Sequence, residues 1–183
     1  MSVLLESIVL KRFPVGESDN HYNLLTSEMG KIRVLVRGGR KIKSKLSPHL
    51  DGFSLVDILL IEGRNGYSLA GAKIKQDFRR LAKVDFLLSS ASIFLSIIDH
   101  VLPENAKDED IFQLTLKTLE ELSQATNDSE AIIRLNSSIY QLLKILGIQP
   151  DISAVANQRE LFNSFILALE SATDRQIISD IVS

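Results

Sequence analysis

The chain of 183 residues contains no cysteine, which excludes a disulfide scaffold, a cysteine nucleophile and any thiolate metal site. Long hydrophobic runs are lacking too. The most apolar stretch, FLLSSASIFLSII, spans 13 residues between Asp85 and Asp99. A membrane span needs about 20, so this stretch reads as a buried helix and no membrane association is expected. MSVLLESIVLKR has no basic segment ahead of its apolar run, and Glu6 interrupts that run, so no targeting segment is expected. Catalytic signatures are missing as well. His21, His49 and His100 lie far apart in sequence and belong to no HExxH-like metal pattern. Neither a nucleophile elbow nor a P-loop is present. Gly38-Gly39 lacks the third glycine and the βαβ setting of a dinucleotide fingerprint. The sequence therefore predicts no enzyme, no metal site and no cofactor.

Acidic residues are lacking from one region in particular. Between Met29 and Leu50 there are seven Lys and Arg and no acid: Lys31, Arg33, Arg37, Arg40, Lys41, Lys43 and Lys45. The formal net charge of −2 hides this segregation. Residues 1–83 hold 15 Lys+Arg against 8 Asp+Glu, a net of +7, and residues 84–183 hold 6 against 15, a net of −9. Such a division suggests that one half meets a polyanion and the other does not.

Hydrophobic periodicity divides the chain at nearly the same place. SIVLKRF and HYNLLT read as strands. KIRVLVR alternates, with Ile32, Val34 and Val36 on one face and Lys31, Arg33, Leu35 and Arg37 on the other, so its outer face is expected to be basic. SEMGK reads as a tight turn. FSLVDILLIEG is apolar on both faces, as an inner strand would be. Asn65-Gly66 signals a two-residue hairpin leading into YSLAGAKIKQ. Five short strands with one long loop suit a small closed barrel of the OB type, with an open sheet or an SH3-like barrel as alternatives. From about Asp77 the period becomes helical. One long helix or two joined helices are expected up to Pro103. The next helix starts at Asp108 or Asp110 and a further one at Asp128 or Ser129, each residue being a good N-cap. Gly147 and Pro150 close the latter, and two weaker helices are expected near 157–172 and 174–182. The fold class is thus α+β: an N-terminal five-stranded OB-fold barrel (1–80) followed by an all-α helical domain (81–183).

The basic segment is the strongest candidate site. Phosphates need ammonium and guanidinium donors along a track, and glycines leave backbone N–H groups accessible. Lys11 and Arg12 end the first strand and are expected near Lys31, Arg33, Arg37, Arg40, Lys41, Lys43 and Lys45. Stacking platforms usually accompany such a groove, and Phe13 and Tyr22, which flank the first hairpin loop, are the candidates, while Phe53 reads as core. The residues alone leave open a nucleic-acid binder, for DNA or RNA, and an OB-like protein-interaction adaptor.

SIVLKRFPVGESD, LLTSEMGKIRVLVRGGRKIKSKL and LDGFSLVDILLIEG closely resemble the start of the RecO family of bacterial recombination mediators and DNA repair proteins. The matching positions are Ile8-Val9-Leu10, Gly16-Glu17 with Asp19, Thr26 with Gly30, Arg37-Gly38 with Arg40-Lys41, Ser44, and Leu50 with Phe53. RLNSSIYQLLKILGIQPDIS resembles the family's helix ending in Leu-Gly before a proline. The resemblance implies an OB fold followed by a protein-interaction helical domain, binding of single- and double-stranded DNA, strand annealing, and loading of RecA with RecR on DNA coated by single-strand-binding protein (SSB). It places the DNA-contact region on Arg37, Arg40, Lys41, Lys43 and Lys45, and the protein in the cytoplasm at the nucleoid. Many family members carry a four-cysteine zinc site, but DISAVANQRE after Pro150 has no cysteine, so no zinc is expected. The SSB C-terminal tail, acidic with an apolar end, would need an apolar groove and a cation, for which Arg134 or Lys144 is a candidate.

Overall fold

The computed structural model describes residues 2–38, 47–50, 52–63 and 66–177. Strands β1 (Ser2–Val15), β2 (Asp19–Thr26), β3 (Gly30–Val36), β4 (Ser54–Gly63) and β5 (Gly66–Asp77) close into a barrel in the order β1-β2-β3-β5-β4. Neighbours are antiparallel except β3 and β5, which meet in parallel at Val34↔Tyr67 and Leu35↔Ser68. A single helical turn, α1 (Ser47–Leu50), lies between β3 and β4 in the chain and puts Leu50 into the barrel core. This is the OB fold. Its interior follows the expected alternation: Ile32, Val34 and Val36 pack with Leu24 of β2 and with Val56, Ile58 and Leu60 of β4. Leu59 and Ile61, on the outer face of the same β4, are exposed, so that strand is covered on both sides only in its first half.

The turn between β2 and β3 is tied by its own residues. The Thr26 hydroxyl donates to the Gly30 carbonyl (2.9 Å) and accepts from the Met29 N–H (3.1 Å). Gly30 closes the turn at φ 69°, in the left-handed region.

Four helices follow: α2 (Asp85–Val101), α3 (Glu109–Gln124), α4 (Asp128–Ile145) and α5 (Gln158–Thr173). Residues 79–84 are turns, so α2 starts later than the apolar pattern suggests. Asp108 caps α3 as expected, accepting from the Ile111 N–H at 3.0 Å. The α4 cap is Asn127, not Asp128 or Ser129; its side chain accepts from the Glu130 N–H at 2.9 Å. All three residue types cap well, and this choice leaves Asp128 in the first turn, where the helix dipole favours an acid. Beyond α5 the first residues of the expected helix 174–182 are not helical: Asp174 is left-handed (φ 52°) and residues 175–177 are irregular, while residues 178–182 lie outside the described residues.

The helices form a core with the outer wall of the barrel. Leu25, Ile8 and Leu55 stand side by side across β2, β1 and β4, and together with Leu10 they pack into the same cluster as Phe94, Ile98, Phe112 and Leu142. The chain between α2 and α3 then crosses the outer face of β3. The Asn105 N–H donates to the Lys31 carbonyl at 2.7 Å. A Cβ on Gly30 would come within 2.0 Å of the Ala106 carbonyl oxygen. Gly30→Ala combines this backbone clash with a left-handed φ, and should cost about 2–4 kcal/mol. Urea denaturation would detect it as a lowered midpoint with unchanged slope.

Candidate nucleic-acid interface

Strand register builds the outer face of β1–β3 row by row. Lys11, Asn23 and Arg33 are cross-strand neighbours, and Phe13, His21 and Leu35 form the next row. Lys31 lies on the same face, two residues before Arg33, but it is buried at 6% exposure. Its ammonium donates to the Asp99 carbonyl (2.5 Å) and lies 3.6 Å from the Asp99 carboxylate, at the C-terminal end of α2. The Asn23 side-chain amide donates to the same carboxylate at 2.8 Å. Lys31 is therefore a junction residue rather than an open cation. Alternation assigned it to the outer face correctly, but could not indicate that α2 covers that face.

Arg33 marks the edge of the cover. Its Nε donates to Asn23 Oδ1 (3.2 Å), its guanidinium carbon lies 5.8 Å from the Phe13 ring centroid, and a terminal nitrogen lies 3.3 Å from Glu104. The Lys11 ammonium lies 5.4 Å from the same ring. Phe13, half-buried, thus sits among two cations. Tyr22, the other expected stacker, is completely buried in the barrel, because its position on β2 faces inward opposite Arg12 and Val34. Phe53 packs against the helical core, as expected. Arg12 and Arg37 are exposed. Arg40, Lys41, Lys43 and Lys45 lie outside the described residues.

The point from which that basic run departs is fixed. The Gly38 N–H donates to the Asp19 carboxylate at 2.7 Å, tying the end of β3 to the start of β2. At the other end of the same pair of strands, the Thr26–Gly30 bonds tie β2 to β3.

Three clefts follow this face. One of 640 Å³ is lined by His21, Arg33, Leu35, Arg37, Tyr67 and Glu104. A second of 440 Å³ shares Arg33 and Glu104 and adds Lys11, Phe13, His100 and Arg175. The third, 870 Å³ between β1 and α2, shares Lys11 and adds Arg12, Phe53, Leu88, Ser92 and Ser96. Sequence reasoning missed His100, Arg175 and Glu104, since each belongs to the acidic half and reaches the barrel only through tertiary packing. Of the two cations suggested for a peptide tail, Arg134 is engaged by Glu130 (2.5 Å) and the Glu121 carbonyl (2.6 Å). The Thr126 backbone N–H and then Arg134 pull the Glu130 carboxyl down to about 2. The Lys144 ammonium lies 5.2 Å from the Tyr140 ring centroid. Among the described residues no three His, Cys, Asp or Glu are grouped to hold a metal ion, and no helix is long and apolar enough to cross a membrane.

The family model "Recombination protein O N terminal" matches residues 1–78, and "Recombination protein O C terminal" matches residues 86–173. The chain belongs to the RecO family. It is 31% identical over 151 residues to the DNA repair protein RecO of Dehalococcoides mccartyi, covering 82% of this chain and 58% of that protein. The RecO of Cutibacterium acnes is 30% identical, with 80% and 61% covered, and that of Gloeobacter violaceus is 32% identical, with 79% and 55% covered. The chain thus spans little more than half the length of these RecO relatives.

The Lys31–Asp99 pair tests the junction between the two halves. Asp99→Ala leaves a buried ammonium without its carboxylate and should cost about 3–5 kcal/mol. The double substitution Lys31→Met, Asp99→Leu should recover most of that loss. Chemical denaturation of the three proteins measures both effects.

Proposed function

We propose that this chain is a non-enzymatic, DNA-binding recombination mediator. It holds phosphates of one or two strands on the outer face of the barrel and promotes annealing of complementary strands. The observation that carries this reading is the clustering of Lys11, Arg33 and Arg37 on the outer face of β1–β3, beside the tethered glycine from which Arg40, Lys41, Lys43 and Lys45 follow. Cations spaced along a groove beside an aromatic ring suit a sequence-tolerant strand site. Membership of a family whose relatives are named DNA repair proteins supports the same reading. In it, residues 1–80 meet DNA, while the acidic helical part, residues 81–183, stays off DNA and meets proteins. RecR and the SSB tail are the expected partners, and RecA is served indirectly. The work is done in the cytoplasm, at the nucleoid.

Binding of a fluorescent oligonucleotide across salt tests this. Affinity should fall steeply with salt, and each phosphate contact removed should flatten the slope of log K against log salt by about 0.7–0.9. Arg33→Ala with Arg37→Ala, and separately Lys41→Ala with Lys43→Ala and Lys45→Ala, should both weaken binding and flatten the slope. Lys117→Ala, on the exposed side of α3, should change neither. No binding at low salt would favour the protein-interaction adaptor instead, and preferential competition by RNA would favour an RNA ligand.

A further inference from the structure

Glu104 stands where the open face meets the helices. It is the one acid among the described residues lining the 640 Å³ cleft. It also lines the 440 Å³ cleft, where the other acid, Asp99, is already held by Lys31 and Asn23. Its main chain is fixed against β3: Glu104 forms a parallel bridge with Lys31, and the next N–H, from Asn105, donates to the Lys31 carbonyl at 2.7 Å. From that anchored position its carboxylate lies 3.3 Å from an Arg33 terminal nitrogen, with the two side chains 53% and 51% exposed. Arg33 is itself aligned by Asn23 and flanked by Phe13.

A guanidinium binds carboxylate and phosphate through the same forked donors. We propose that Glu104 is a built-in competitor for DNA, occupying the Arg33 donor that a strand phosphate takes in the bound state. The inference rests on the DNA-binding reading and adds a restraint on that site. The exposure of the pair makes the exchange feasible. An ion pair half in water is weak and screened by salt, so a phosphate can displace it. The neighbouring Lys31–Asp99 pair, withdrawn from water, cannot be exchanged at similar cost. Each binding event then releases Glu104 to solvent, where it regains counterions and offsets part of the gain from Arg33.

The test uses the full chain and a fluorescent single-stranded oligonucleotide, titrated across salt, for wild type, Glu104→Gln, Arg33→Ala and the double variant. Melting curves establish that each is folded. Glu104→Gln should bind about two- to fivefold more tightly near 0.1 M salt, with a slope steeper by up to about 0.7. The gain should disappear in the Arg33→Ala background. Equal or weaker binding by Glu104→Gln would overturn the inference while leaving the DNA-binding reading intact. So would an undiminished gain without Arg33, which would reflect general charge repulsion. Absence of binding by all four proteins would overturn the functional reading and the inference with it.

Discussion

A buried ammonium group must find its charge partner, and in this protein Lys31 finds it on another part of the chain. Its contact with Asp99, shared by the Asn23 amide, brings the end of α2 down onto the outer face of β2 and β3. The position of the α2–α3 connection, the bond from Asn105 to the Lys31 carbonyl, and the placement of Glu104 beside Arg33 all follow from that approach. A pair of this kind contributes little net stability compared with a packed apolar contact, but breaking it is costly. It therefore joins the barrel to the end of α2 by a contact that is costly to lose.

Two cations on one strand consequently have different roles. Lys31 and Arg33 are separated by one residue and project from the same face, and each has an acidic partner from the helical half. Solvent access separates them. The first pair is withdrawn from water and is architectural. The second remains half in water, beside Phe13 and within reach of a ligand. Along the outer face of β3, the part that remains open lies beyond the helical cover, from Arg33 towards Arg37.

Much of this was legible in the sequence, because strand period and turn chemistry are local properties. The alternation of KIRVLVR predicted which residues fill the barrel, and Gly30 falls where a turn was expected, whereas the Asn65-Gly66 signal is displaced by one residue, since Gly66 already pairs with Gly63 as the first residue of β5. The fold class followed from these signals. Solvent exposure was less legible. Lys31 and Tyr22 were both read as accessible, yet one is covered by a helix more than sixty residues away and the other points into the barrel. Tyr22 flanks a loop, and proximity to a loop suggested a surface position, whereas its register opposite Val34 sets it inward. Glu104 had no local signal at all, since its meaning comes from a partner on β3.

The wall formed by Leu25, Ile8 and Leu55 has a consequence for synthesis of the protein. These side chains lie on the outside of the barrel, and their burial depends on residues from α2 through α4. A ribosome delivers the strands first, so the nascent barrel carries a bare apolar stripe until the helices emerge. The two halves are separable by sequence pattern, but they share one buried cluster. For that interval the stripe is an aggregation-prone surface, and the arrival of α2 ends it.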